Sequence, residues 1–300
     1  MAMMGMSARL AAGGLLLGLL AACADEATPK PAPIPVQTPV AQYRNAQGPA
    51  GPDDHVPDFA TRGFAPFARQ NAVAIALREW RLFGQPVDDD DPEQRPDAST
   101  TAVKPERLPG LWERVGEYWW IGQDPYESEV AWTGKHDANG TPFDFVHDGR
   151  FAWSAAFISY VMRIAGASER FPYSPNHSTY INAAVSGTAA ALRAQDPANY
   201  APQLGDLICA GRGHARSLRF ADLPTSNGFP AHCGIVVART ANSINIIGGN
   251  VDDAVTLTHV PVGPTGLLFG PDGHSLDSRY PWLVVLQVLY DADAESPTQD

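Results

Sequence analysis

The sequence predicts an α+β domain in which helices come first and an antiparallel sheet follows. Two observations carry that expectation. From residue 67 to residue 194, four segments space their apolar residues three and four apart, while from residue 206 onward short runs rich in Val and Ile alternate with turn residues. The stretch 63–291 suits one domain with embellishments, and no internal repeat is visible.

The first helix spans Phe67 to Phe83, where Ala72, Val73, Ile75, Ala76, Trp80 and Phe83 form an apolar stripe. Asp88 to Glu93 then breaks the pattern; four adjacent acids without the alternating oxygens and Gly of a calcium loop read as a solvated loop. A second helix, about Leu111 to Ile121, carries Trp112, Val115, Trp119 and Trp120 and should pack on the first. Residues 123–150 are loop-like, with a turn at Asp137-Ala138-Asn139-Gly140. The helix from Ser154 to about Ala165 is apolar on nearly all sides and is therefore expected to be buried. A further helix runs from Ser178 to about Ala194. Strands follow at 206–210, 232–240, 243–248, 254–261 and 282–290.

The N-terminus reads as a leader. Met1 to Ser7 has no acidic group, Arg9 supplies one positive charge, and Leu10 to Ala22 is an apolar run too short to span a bilayer. It ends in Leu20-Ala21-Ala22-Cys23, which resembles a bacterial lipobox. Residues 1–22 are thus a lipoprotein signal peptide, with Cys23 the lipidated first residue; the alternative is an ordinary secretory signal with a chance Cys. Ala24 is not Asp, which favours an outer-membrane, periplasm-facing location. Residues 23–62 are Pro-rich, as in Thr28-Pro29-Lys30-Pro31-Ala32-Pro33, and make a disordered tether; residues 292–300 make an acidic tail.

The formal charge of −12 argues against nucleic acid as a partner, because phosphate binding needs clustered Lys and Arg. No His-x-x-x-His or Cys-x-x-Cys spacing occurs, so neither a metal nor a cofactor is expected.

Three polar residues occupy chemically useful places. Ser154 opens a buried helix, where the dipole and unpaired N–H groups can receive an oxyanion, although Ser is also a preferred N-cap with no chemistry attached. His232 stands at the mouth of an apolar strand, on the side opposite Cys233. Asn250 closes the next strand, and an amide there can orient an imidazole. His177 is a possible substitute base or substrate contact, or else a structural His before a helix; His147-Asp148 could line the same cleft.

Several motifs resemble known ones. Trp153-Ser154-Ala155-Ala156-Phe157 resembles the Trp-Cys-Ala-x-Phe helix start of CHAP and NlpC/P60 peptidoglycan hydrolases. Gly205-Asp206-Leu207-Ile208, His232-Cys233-Gly234-Ile235-Val236 and Gly249-Asn250 are similar to their later strands. The run Trp153 to Ala184, with Phe171-Pro172-Tyr173-Ser174 and His177-Ser178, resembles the bacterial domain DUF2272, related to that group.

The resemblance implies a papain-like fold with N-terminal helices packed on an antiparallel sheet. It also implies hydrolysis of an amide bond in peptidoglycan peptide, with Ser154 as nucleophile, His232 as base and Asn250 as orienter. Trp153, His177 and Asp206 would line the substrate cleft.

Two departures bear on activity. Ser154 replaces Cys, and Gly248 stands where many CHAP domains carry Glu. A Ser hydroxyl, unlike a thiol, cannot ionise in advance. Replacing Asp by Asn in a serine triad costs about 10⁴ in kcat, so Ser-His-Asn is weak unless Asp252, Asp253 or Asp206 comes near. The competing class is therefore a catalytically degenerate module that binds peptidoglycan or a partner protein. In the resembled fold Cys209 and Cys233 lie on neighbouring antiparallel strands, which makes a disulfide feasible; the alternative is two buried free thiols.

Overall fold

The computed structural model describes residues 66–94, 104–122 and 152–291. Among these described residues four α-helices come first: α1 (Arg69–Leu82), α2 (Leu111–Gly122), α3 (Ser154–Ile164) and α4 (His177–Val185). Six strands follow: β1 (Leu192–Gln195), β2 (Leu207–Gly211), β3 (Ala231–Arg239), β4 (Ser243–Val251), β5 (Ala254–Pro261) and β6 (Trp282–Val288). They form one antiparallel sheet in the order β1-β6-β2-β3-β4-β5. The chain is thus α+β, with its helices ahead of its sheet.

Both faces of the sheet are covered. On one, Leu207, Ile235, Ile247 and Leu286 meet the helices; on the other, Ile208, Val236, Ile246 and Val285 lie under Leu268 and Tyr280 from the segment after β5. That is why β2 and β6 read as unbroken apolar runs rather than alternating ones. Helix α3 is buried from Ser154 to Arg163, as an all-round apolar helix must be. The Tyr118 ring of α2 meets Phe157 of α3 edge-on at 5.3 Å.

One buried carboxylate ties three helices together, the Tyr160 hydroxyl of α3 donating to Glu79 of α1 at 3.4 Å and the donors of α1 and α2 completing its set. Glu79 of α1 is fully buried and accepts hydrogen bonds from Arg114 Nε (3.0 Å), Tyr118 Oη (2.7 Å) and Arg78 Nη2 (2.6 Å). Burial, and then the Glu79 charge, push the Tyr118 phenol well above its usual pKa, so it remains a donor. A buried charge is tolerated only with such pairing.

The helix expected up to residue 194 stops at Val185. Gly187 adopts a left-handed φ of 70°, and the Thr188 N–H reaches back to the Ala183 carbonyl at 2.9 Å, closing the helix by a glycine C-terminal turn. The released chain reverses into β1, whose Leu192 pairs with Val288 of β6. Of the alternatives for the two cysteines, the structure has the disulfide: Cys209 and Cys233 face each other across β2 and β3 and are bonded, wholly within the helix-side core.

Candidate functional site

Ser154 is the first residue of α3, with Trp153 as its N-cap and no side-chain cap hydrogen bond. Its hydroxyl is engaged elsewhere, so the plain capping role is not the one it plays. Oγ lies 2.7 Å from Nε2 of His177, and the two residues are 9% and 4% exposed.

The segment between the helices sets this pair. Ser159 Oγ of α3 donates to the Ser174 carbonyl at 3.2 Å, and Ser174 Oγ accepts the Asn176 N–H at 3.1 Å, folding the chain so that α4 begins at His177. Tyr180 lies three residues on, on the same helix face, and its hydroxyl is hydrogen-bonded to Nδ1 of His177. The site is therefore a buried Ser-His-Tyr chain.

His232 stands beside it, its ring edge-on to that of His177 with centroids 5.5 Å apart. Gly248 makes room for it: a Cβ at that position would fall 2.7 Å from His232 Nε2. A bulkier residue, such as the Glu that many CHAP domains carry, cannot occupy that spot without displacing the imidazole.

Ser154, His177 and His232 come together; the other expected residues do not. Asn250 sits at a pairing irregularity of β4 with φ 56°, and its side chain makes no hydrogen bond among the described residues. It therefore does not orient His232. Asp253 is ion-paired with Lys104 at 3.1 Å and Asp252 is exposed, so neither supplies the missing carboxylate.

Asp206 precedes β2, at the end remote from Ala210, the residue paired with His232. Four residues of strand put it about 13 Å along the sheet. Its buried carboxylate accepts from Tyr200 Oη (3.0 Å) and the N–H groups of Gln203 (2.8 Å) and Val288 (3.1 Å). Trp153 is fully buried, its indole donating to Glu106 at 2.6 Å, and belongs to the core rather than to a cleft. Cys23, His147 and Asp148 lie outside the described residues.

The surroundings are electropositive. Two helices point their N-termini at the pair, since Ser154 and His177 each begin one, and each terminus carries about half a positive charge. Burial above all, then His232 and Arg212, hold the His177 imidazole well below its usual pKa. It is neutral at pH 7. Neither ring nitrogen meets a carboxylate. Burial pushes the Tyr180 phenol well above 10, so it stays protonated.

A neutral imidazole has one donor and one acceptor nitrogen, which leaves two directions for the chain of protons. If Ser154 donates to Nε2, then Nδ1–H donates to the Tyr180 oxygen and the phenolic hydrogen is left over. If Tyr180 donates to Nδ1, then Nε2–H donates to Ser154 Oγ and the serine proton is left over. Only the first makes His177 a base toward Ser154.

Residues 106–288 match the family described as an uncharacterized protein conserved in bacteria, DUF2272. The chain belongs to the DUF2272 family. No curated protein and no solved structure matches it. The DUF2272 stretch takes in Glu106, Ser154, His177, Tyr180, His232 and all six strands, while α1 with Glu79 precedes it.

Proposed function

We propose that this chain is a lipid-anchored cell-envelope hydrolase of papain-like build that cleaves an amide bond in a cell-wall peptide. Ser154 is the nucleophile and His177, rather than His232, the base. The observation that carries this is the contact of 2.7 Å between Ser154 Oγ and His177 Nε2, within reach for proton transfer. Ser154 Oγ attacks the carbonyl carbon as its proton moves to Nε2; the amine then leaves with that proton, and water repeats the cycle on the acyl-enzyme. The free N–H groups opening α3 receive the oxyanion. Tyr180 holds the ring where a carboxylate would do so in a stronger triad. Cys23 anchors the protein to the outer membrane, and the Pro-rich segment carries the domain toward the wall on the periplasmic side.

The second reading, a degenerate module that binds the same peptide without turnover, is favoured by one feature. Nδ1 is the hydrogen-bond partner of the fully buried Tyr180 hydroxyl, and donating to it satisfies the phenol. Nε2–H then points at Ser154 and no base is available there.

One experiment separates the two. The full chain as wild type, S154A, S154C and H177Q is incubated with a fluorophosphonate probe and with isolated sacculi, and the His177 tautomer is read from ¹⁵N shifts. Labelling that disappears in both S154A and H177Q, with Nδ1 protonated, supports the hydrolase. Silence in wild type with Nε2 protonated, and muropeptide release only in S154C, establishes the degenerate module. Fatty-acid labelling lost in C23A tests the anchor separately.

A further inference from the structure

Ser154 and His177 are 9% and 4% exposed, too closed for a peptide carbonyl carbon to come within about 3.5 Å of Oγ. A substrate therefore enters only if part of the wall moves, and the segment between β2 and β3 is built to do so.

After β2 the chain makes a turn that is held to the sheet. A Cβ on Gly211 would fall 2.1 Å from the Ala215 carbonyl oxygen, and the Arg216 guanidinium donates to the Arg279 carbonyl at 3.3 Å. Residues 219–229 then leave the sheet and return at Pro230, whose carbonyl accepts the Arg212 N–H at 2.9 Å. The two ends of the excursion thus meet at the β2–β3 ladder, where Gly211 pairs with Ala231. A surface loop closed at its base can swing without disturbing the strands.

Its course runs along the Ser154 site. Thr225 lies on Asn182 of α4, and Gly228 lies over Ser178, where an added Cβ would come 3.4 Å from Oγ. Ser178 follows His177 and is 3% exposed. From Pro230 the chain passes directly into Ala231 and His232, whose ring stands beside His177.

The fastening is slight. No residue from Arg216 to Pro230 is fully buried; Phe220, Leu223 and Phe229 pack half-buried against the helix-side core. Several hydrogen bonds stay within the segment, such as Arg219 N–H to the Asp222 carboxylate at 2.8 Å and Thr225 Oγ1 to the Asn227 carbonyl at 2.7 Å. Among the described residues, those that tie 219–229 to the rest of the domain all run between Asn182 and Thr225. The Thr225 N–H donates to Asn182 Oδ1 at 3.0 Å, and Asn182 Nδ2 donates to Thr225 Oγ1 at 3.1 Å and to the Thr225 carbonyl at 3.3 Å. Segments with so few buried contacts open at a small fraction of the cost of global unfolding.

We propose that residues 219–229 are a movable cover of the Ser154 site, latched by Asn182 and Thr225, and that a peptide reaches Ser154 when this latch opens. The role of the cover rests on Ser154 being the reactive residue, whereas its opening is a property of the fold alone.

The test reads opening without turnover. The full chain carrying S154C is alkylated with iodoacetamide, modification of position 154 is followed by peptide mass, and amide exchange is followed across 219–229. N182A/S154C is the comparison, and Ala keeps α4 helical. In it the amides of 219–229 are expected to exchange at least about tenfold faster, with alkylation of position 154 rising by a similar factor and the urea midpoint nearly unchanged. The pH midpoint of alkylation, which reports the thiolate, should be the same in both proteins, so that the rise is one of access. T225A/S154C removes one latch bond from the other side and should move both rates in the same direction by less. Alkylation that is unchanged while 219–229 exchange faster would overturn the proposal, as would exchange that N182A does not alter, or faster alkylation traced to a shifted pH midpoint. Because position 154 is read through its thiol, failure of the hydrolase reading on sacculi and failure of the cover are separate results.

Discussion

Replacing His177 with Gln should make the stability of the protein less sensitive to acid. The folded imidazole is held well below its ordinary pKa by burial, His232 and Arg212, whereas in the unfolded chain it titrates near 6.5. Above pH 6.5 both states are neutral and the group contributes no pH dependence. Below it the unfolded state takes up a proton that the folded state refuses, so stability falls as pH falls, until the folded pKa is reached. The slope is about 1.4 kcal/mol per pH unit, which amounts to about 2 kcal/mol by pH 5 while the folded ring stays neutral. For a domain of this size that is about 4–8 °C in Tm. H177Q removes this titration, so the stability gap between wild type and variant should shrink by about 2 kcal/mol between pH 7.5 and pH 5. Asp89 and Asp291, whose pKa values are lowered by their partners, titrate below 3.8 and are common to both proteins. Urea unfolding at four pH values measures the gap. A constant gap would refute the reasoning, as would a His177 Cε1–H resonance in wild type that titrates near pH 6.5, the readout to use if the variant does not fold.

Three further perturbations probe the frame around the site. E79Q should destabilise the domain by about 3 kcal/mol in urea, since it removes the charge that Arg114 and Arg78 share beneath α3; a loss under about 1 kcal/mol would show that the helices hold without it. Replacing both Cys209 and Cys233 by Ser opens a loop with a sequence separation of 24 and should cost about 3 kcal/mol, with a Tm that no longer responds to reductant. G248A drives a methyl group into His232 and should move that imidazole, at a cost of about 1–3 kcal/mol; an unmoved His232 resonance with unchanged Tm would contradict the packing.

The elements that were legible in the sequence are those whose apolar period is long and uninterrupted. Helix α3 and strands β3 to β6 are of this kind, because each is buried along most of its length. Strand β1 was not legible: four residues with one buried position carry no period, and the glycine that frees them acts through backbone conformation rather than side-chain pattern. Glu79 was hidden for the opposite reason. A buried carboxylate in an amphipathic helix looks like any solvated acid until Arg114 and Tyr118 of α2 and Arg78 of its own helix close around it.

The Ser154 site shows the same limit more sharply. The sequence points to the order Ser154, His232, Asn250, because a strand His is where the resembled hydrolases keep their base. The turn at Ser174 to Asn176 instead starts a helix at His177, and helical spacing then delivers Tyr180 to the far ring nitrogen. Taking His177 in place of His232 as the proposed base changes the electrostatics as well as the partner. An imidazole fixed between two helix N-termini, beside a second imidazole and near Arg212, is penalised on becoming cationic, while an anion at Ser154 is favoured by the same fields. In a serine hydrolase both charges develop together, and here only one of them is stabilised. Catalysis by this arrangement therefore depends on the oxyanion term exceeding the cost of the imidazolium. The same fields favour an anion over a cation beside Ser154.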